Sequence, residues 1–225
     1  MMVSGDTELT FAPVDNFLQI ELHGALNPAI FRPTWFSDQG LLRPAEAEKA
    51  EISADTDDFV QFQLPDLLID VNREQFTLVS RNESLSLTHR DMVANMFELL
   101  PHTPIRGMTV SRAAWFAPPV SNASLDWTPV AGMDVWKDLL PDSRMDRVTV
   151  LGPADVGEFA AELTVEDSGR EREPLLIRCI YSRFLGEGTH QVGAELEKDW
   201  VGLYNHSNRV MNHLNTILWH QESTS

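Results

Sequence analysis

The sequence predicts an α+β protein in which an antiparallel sheet is covered by helices on one face, assembled from two similar halves of order β-α-β(3–4)-α. Three observations predict it. Runs that alternate apolar and polar residues occur in two clusters along the chain, and each cluster closes on a segment with helical apolar spacing. The third is composition: 225 residues, 43% hydrophobic and 23% charged, suffice for a core of one to two domains.

Phe17 to His23 sets Leu18, Ile20 and Leu22 against Gln19, Glu21 and His23, the signature of a strand with one buried face. Asn27-Pro28 and Arg32-Pro33 then offer helix starts, with Ile30, Phe31, Trp35 and Phe36 as apolar content and Gly40 as a stop. Residues 43–58 hold six acids and two bases and read as a solvated connection or a frayed edge, with an additional strand near Ala50 to Ile52. Phe59 to Leu64, Leu67 to Val71 and Gln75 to Val79 form an expected meander, with Asn72-Arg73-Glu74 as its tight turn. Thr88 and Asp91 suggest a capping box that opens a helix through Met92, Val93, Met96 and Phe97, ended by Pro101.

The order then recurs. Arg106 to Arg112 is strand-like, and Val130 to Leu140 carries Trp136, Leu139 and Leu140 as a short helix stopped by Pro141. Arg147 to Leu151, Phe159 to Val165, Leu175 to Leu185 and Gln191 to Lys198 are expected strands, and Asp167-Ser168-Gly169 marks a hairpin. A helix from Trp200 to about Leu218 closes the chain. The halves are expected at 1–104 and 105–225, in one body.

This element order resembles the saddle of the TATA-binding protein, in which two such halves form a continuous antiparallel sheet with helices on one side. The segments Leu26-Asn27-Pro28-Ala29-Ile30-Phe31-Arg32-Pro33-Thr34-Trp35-Phe36 and His102-Thr103-Pro104-Ile105 resemble a sporadically distributed bacterial family of unassigned function. That second resemblance implies no activity, and the first implies a fold only. Thirty-four acidic residues against seventeen basic ones give a formal charge of −17, which disfavours a phosphate-tracking surface.

The sheet face opposite the helices is expected to be polar, presenting Gln19, Glu21, His23, Gln61, Gln63, Asp70, Arg147 and Glu162, with Glu195 and Glu197 from the last strand. Nucleic-acid saddles offer many cations and apolar wedges, and this face offers one arginine. On the closing helix, Leu203, Val210, Leu214 and Ile217 with Tyr204, Met211 and Leu218 form an apolar stripe. Beside it lies a polar strip with His206, His213 and His220 every seven residues and Asn205, Asn208, Asn212 and Asn215 among them. Seven residues rise about 10 Å, so no two of these histidines share a metal on this helix. The strip reads either as tolerated flanking positions or as an uncharged contact surface.

Catalytic motifs are missing. Gly186-Glu187-Gly188 lacks the third glycine of a dinucleotide fingerprint, and His89-Arg90-Asp91 lacks every other part of a kinase loop. Asp55-Thr56-Asp57-Asp58 lacks the glycine and terminal glutamate of a calcium loop. The single cysteine, Cys179, allows no internal disulfide; in a strand it reads as a core thiol, with an activated nucleophile beside His190 as the sharper alternative. No cofactor and no metal are expected.

The reading that follows is a non-enzymatic cytoplasmic protein-binding module. An accessory or immunity-type protein that masks a basic partner fits, as residues 1–104 carry seventeen acids and six bases. The candidate binding residues are His206, Asn208, Arg209, Asn212, His213 and His220 on the helix, with Gln61, Gln63 and Arg147 on the sheet. No nucleic acid and no membrane are expected as partners, and a homo-oligomer is a third reading. The alternative function is a hydrolase-like or small-ligand-binding enzyme whose site, with His23, Asp70 and His190 as candidates, assembles only in three dimensions.

Overall fold

The computed structural model describes residues 13–120, 123–131, 145–186 and 192–221. The chain starts with β1 (Asp15–Gly24), two short helices α1 (Pro33–Asp38) and α2 (Pro44–Ala47), and the strands β2 (Glu51–Asp55), β3 (Phe59–Leu64), β4 (Leu67–Asn72) and β5 (Gln75–Ser80). Helix α3 (Ser86–Leu99) leads to β6 (Ile105–Phe116), β7 (Ala123–Leu125) and α4 (Thr128–Ala131). The strands β8 (Arg147–Pro153), β9 (Ala160–Asp167) and β10 (Leu175–Phe184), the long helix α5 (Val192–Ile217) and β11 (Trp219–Gln221) complete it.

Nine strands form one antiparallel sheet in the order β2-β3-β4-β5-β1-β6-β10-β9-β8, and β7 pairs with β11 separately. From the central β1–β6 pair the order runs outward through β5, β4, β3 and β2 on one side and β10, β9 and β8 on the other. The period of two decides the layers. Leu18, Ile20 and Leu22, Phe76 and Leu78, and Ile177, Cys179 and Tyr181 are buried on the face that the long helices cover. Helices α3 and α5 lie side by side there, and a methyl on Gly193 would sit 3.2 Å from the Ala94 Cβ.

Three expectations need correction, and a fourth falls largely outside the described residues. Residues 192–198 are the first turns of α5, because Val192, Leu196 and Trp200 recur at helical spacing and are buried together, so Glu195 and Glu197 do not belong to the sheet face. Helix α3 begins at Ser86, without a Thr88 capping box; Asn82 Oδ1 caps the preceding 3₁₀ turn by accepting from the Ser84 N–H at 3.1 Å. The acidic connection holds the additional strand expected near Ala50 to Ile52, found as β2, but also the short helix α2, with Asp55 paired to Arg32 at 2.6 Å and Asp58 paired to Arg73. The helix expected over 130–140 is represented by α4 up to Ala131, and the rest of that segment lies outside the described residues. No described helix is long and apolar enough to cross a membrane.

Candidate functional site

Cross-strand register builds the uncovered face in rows, because directly opposed residues of antiparallel strands point to the same side. One row runs Gln63, Leu68, Val79, Gln19, Ser111, Ile180, Glu162; the next runs Gln61, Asp70, Thr77, Glu21, Thr109, Ser182. On the wing formed by β1 to β5, none of the five strands contains a lysine or an arginine. Three of its carboxylates are held by amides, while Asp15 and Asp55 pair with Arg170 and Arg32 from outside these strands. Gln61 Nε2 donates to Asp70 Oδ2 at 3.0 Å, Gln63 Nε2 donates to Glu51 Oε2 at 2.7 Å, and Gln19 donates to Glu21. His23 Nε2 stands 3.6 Å from Glu21. Amides orient these anions without neutralising them, so the wing keeps a negative field.

The wing formed by β6 and β8 to β10 balances its acids with arginines. Arg147 Nε donates to Glu166 Oε2 at 2.6 Å, and Arg178 Nη2 lies 3.8 Å from the other oxygen of the same carboxylate. At the end of this wing Phe17 packs on Trp115 with ring centroids 5.8 Å apart, and the Arg170 guanidinium covers the Trp115 ring at 4.2 Å while bonding Asp15 at 3.2 Å. Arg147 is thus engaged within the sheet, whereas Gln61 and Gln63 belong to the acidic ladder.

The polar strip predicted on the closing helix is divided by the structure. His206 is half-buried, with Nδ1 at 2.7 Å from the Tyr181 hydroxyl; burial, and after it the Arg209 guanidinium, hold its pKa below the usual value. Asn208 turns inward, its Oδ1 accepting from Arg112 at 2.7 Å, and Asn215 is buried and accepts from Trp219 Nε1 at 2.9 Å. Arg209, Asn212 and His213 remain exposed, with Arg209 3.6 Å from Asp155. His220 falls in β11 opposite Ser124, and its side chain lies outside the described residues. The strip, read either as tolerated flanking positions or as a contact surface, is therefore partly interior: the buried stripe contains Ser207 and Asn215 beside Leu203, Met211 and Leu218.

Two buried arginines gather polar groups of α5 toward the sheet, Arg112 taking Ser207 and Asn208 and Arg183 taking Glu195 and Asp199. Arg112 donates from Nη1 to Ser207 Oγ and Asn208 Oδ1 and from Nη2 to Glu83 at 2.6 Å, while its guanidinium stacks 3.9 Å from the Tyr204 ring centroid. Arg183 bonds Asp199 at 2.8 Å and Glu195 at 2.5 Å and lies 4.6 Å from the Phe159 ring. Sequence reasoning had the signal for both. Arg112 shares parity with Met108 and Val110, and Arg183 with Cys179 and Tyr181, so alternation placed each on the covered face.

Cys179 is a core thiol. It has no exposed surface, and burial pushes its pKa up to about 11, which removes the thiolate that nucleophilic chemistry needs. Iodoacetamide at neutral pH is therefore expected to leave the native protein unlabelled and to label it fully after unfolding in urea. Native labelling at the rate of a free thiol would contradict this burial.

No group of three or more acidic, histidine or cysteine side chains suited to a metal ion occurs among the described residues. The residues suggested for a three-dimensional catalytic site are not brought together as a set: His23 stands opposite Gln75 and Asp70 opposite Thr77, with β5 between their strands, and His190 lies outside the described residues. Searches of protein-family models and of curated proteins find no match.

Proposed function

We propose that this chain is a non-enzymatic protein-binding module of the cytoplasm that takes a basic partner on the acidic wing of its uncovered sheet face. One observation carries the reading: five adjacent strands present Glu21, Glu51 and Asp70 bound to glutamine amides, with no lysine or arginine in any of those strands. Electrostatic complementarity of this kind steers association and excludes acidic competitors. An accessory or immunity-type protein that masks a basic toxin or nuclease would use such a face. The exposed residues Arg209, Asn212 and His213 of α5 lie on the opposite, helical layer and serve, in this reading, as a secondary contact at most. The division into two similar halves, 1–104 and 105–225, belongs to the same proposal and is supported by the strand order running outward from β1 and β6.

The test is a triple neutralisation, Glu21→Gln with Glu51→Gln and Asp70→Asn. Each change keeps size and hydrogen-bonding capacity on an uncovered face, so the fold is expected to remain. Retention of a basic host protein by tagged wild type at low salt, its release at high salt, and about tenfold weaker retention by the triple variant are the expected outcome. Retention unchanged by the triple substitution removes the acidic wing as the site.

A further inference from the structure

The nine-stranded sheet ends on β2 at one side and on β8 at the other, and the two edges are built differently. β2 is five residues long, carries Glu51 and Asp55, and is interrupted by a register shift between Ile52 and Ala54. Short length, charge and a bulge are devices that keep an edge strand from pairing. β8 is seven residues long and keeps unbroken register with β9. Its one charge, Arg147, is engaged by Glu166, and its one proline, Pro153, comes last. Val150 is 58% exposed and Leu151 73%, on opposite faces of this edge.

The phase of the β8–β9 ladder follows from its two ends. The Asp167 N–H donates to the Asp146 carbonyl at 2.8 Å, and the Ala154 N–H donates to the Phe159 carbonyl at 2.8 Å. Bonded pairs alternate along an antiparallel ladder, so Val148, Val150 and Gly152 turn their backbone groups to β9, while Arg147, Thr149 and Leu151 turn theirs outward. No described strand takes up those outward groups. The side chains of Val148 and Val150 stand in line with Val165 and Leu163 on the helical side, and those of Arg147, Thr149 and Leu151 on the uncovered side. The exposure of Val150 shows that the described helical layer stops short of this edge.

A second copy, turned about a two-fold axis that passes through Thr149 normal to the sheet, meets all of these features together. Thr149 then faces its own counterpart and Arg147 faces Leu151 of the other copy, so every outward residue of both strands exchanges its N–H and C=O bonds. On the helical side Val148 of each copy meets Val150 of the other, and on the uncovered side Leu151 lies along the Arg147 stem. No like charges are opposed. An axis through Val150 would bring Pro153, which has no N–H, opposite Arg147, and an axis through Val148 would set Asp146 against Val150. The same operation about the middle of β2 would oppose Glu51 to Asp55. Joined at β8, two copies keep their acidic wings at the far ends of the sheet, where their repulsion is weakest.

We infer that this chain forms a symmetric dimer in which β8 pairs antiparallel with β8 of a second copy, centred on Thr149, so that the two nine-stranded sheets become one. The interface lies at the opposite edge from the acidic wing and is independent of it, and the dimer presents two such wings.

Sedimentation of the full chain over a range of concentrations, at low and at high salt, tests it. Wild type is expected at twice the mass of one chain, and salt leaves the dimer in place because backbone bonds and apolar contacts hold it. Thr149→Pro removes an N–H that points away from β9, so it costs the ladder within one chain nothing, yet it weakens dimerisation by about tenfold or more. Val150→Lys, at an exposed position, has the same effect by setting a charge against Val148 of the other copy. The register has its own test: an equimolar mixture of Val148→Cys and Val150→Cys forms a disulfide-linked dimer on mild oxidation, because opposed residues of a non-bonded pair fall within disulfide range, whereas either variant alone does so far more slowly. Wild type monomeric at every concentration, a mass that keeps growing beyond the dimer, or dimerisation unchanged in either Thr149→Pro or Val150→Lys overturns the proposal. Cross-linking of Val150→Cys alone as fast as in the mixture overturns the axis at Thr149.

Discussion

An Arg112→Ala variant is expected to lose about 3 kcal/mol of stability, read as a lower urea midpoint with an unchanged slope. Arg112 ties three elements at one point: it lies on β6, bonds Ser207 and Asn208 of α5, and pairs with Glu83 of the 3₁₀ turn that leads into α3. Glu83 also accepts from the Tyr204 hydroxyl and from Asn16 Nδ2 at 3.1 Å. Removing the guanidinium strands the amide and hydroxyl oxygens in a buried layer and leaves Glu83 without its cation. The Glu83 side chain is 35% exposed and can rehydrate in part, which holds the loss near the lower end of values for buried pairs. For a chain of this size the shift in melting temperature is about 10 °C. Arg112→Lys keeps the charge without the planar fork and is expected to fall between the two. A urea midpoint within error of wild type for Arg112→Ala would show that the network is not holding α5 to the sheet.

Gly24→Ala carries the second large effect, for a steric reason. Gly24 ends β1 at a register shift in its pairing with β6, where its own N–H donates to the Glu74 carbonyl at 2.9 Å and the next N–H donates to the Pro104 carbonyl at 3.0 Å. A Cβ built there would stand 2.1 Å from that Pro104 oxygen and 3.0 Å from Ile105 Cδ1. The obstacle is backbone at the junction of the two central strands, so it cannot rotate aside as a side chain would. About 3 kcal/mol of destabilisation is expected, at the upper end of overpacking costs. Gly152→Ala, in the edge strand β8 with nothing within 4 Å of its added methyl, is the control and should differ little from wild type. Equal stability of the two variants would contradict the packing at the β1–β6 junction.

Much of this fold was legible because most strands obey a strict alternation. Phe59–Leu64 is found as predicted, and Leu67–Asn72 and Gln75–Ser80 extend their predictions by one residue, since Val60, Phe62, Ile69, Val71, Phe76 and Leu78 all face one way. The failure at 192–198 has a physical cause. Val192, Ala194 and Leu196 satisfy a period of two over a short window, and only the continuation through Trp200 and Leu203 reveals the helical period. The helix strip misled for a related reason: asparagine and histidine are polar, but Asn208 and His206 meet buried partners on β6 and β10 that are distant in sequence, and Asn215 is buried while accepting from Trp219 of β11. A cleft bordered by α2, the β3–β4 turn and α3 could not be read at all, because its walls come from segments far apart in the chain. The acidic wing lies between these cases. The alternation placed Gln61, Gln63, Asp70 and Glu21 on the outer face, while their pairing into amide–carboxylate bonds required the register.

The most direct test of the central claim is zero-length carbodiimide cross-linking of the chain to its captured basic partner, followed by peptide mapping. Carbodiimide joins a carboxylate to a lysine only where the two touch. The acidic wing predicts adducts at Glu21, Glu51 and Asp70, suppressed when salt is raised before the reagent is added. Adducts confined to carboxylates of the helical layer, such as Glu195 or Glu197 of α5, with those three residues recovered unmodified, would contradict the proposal.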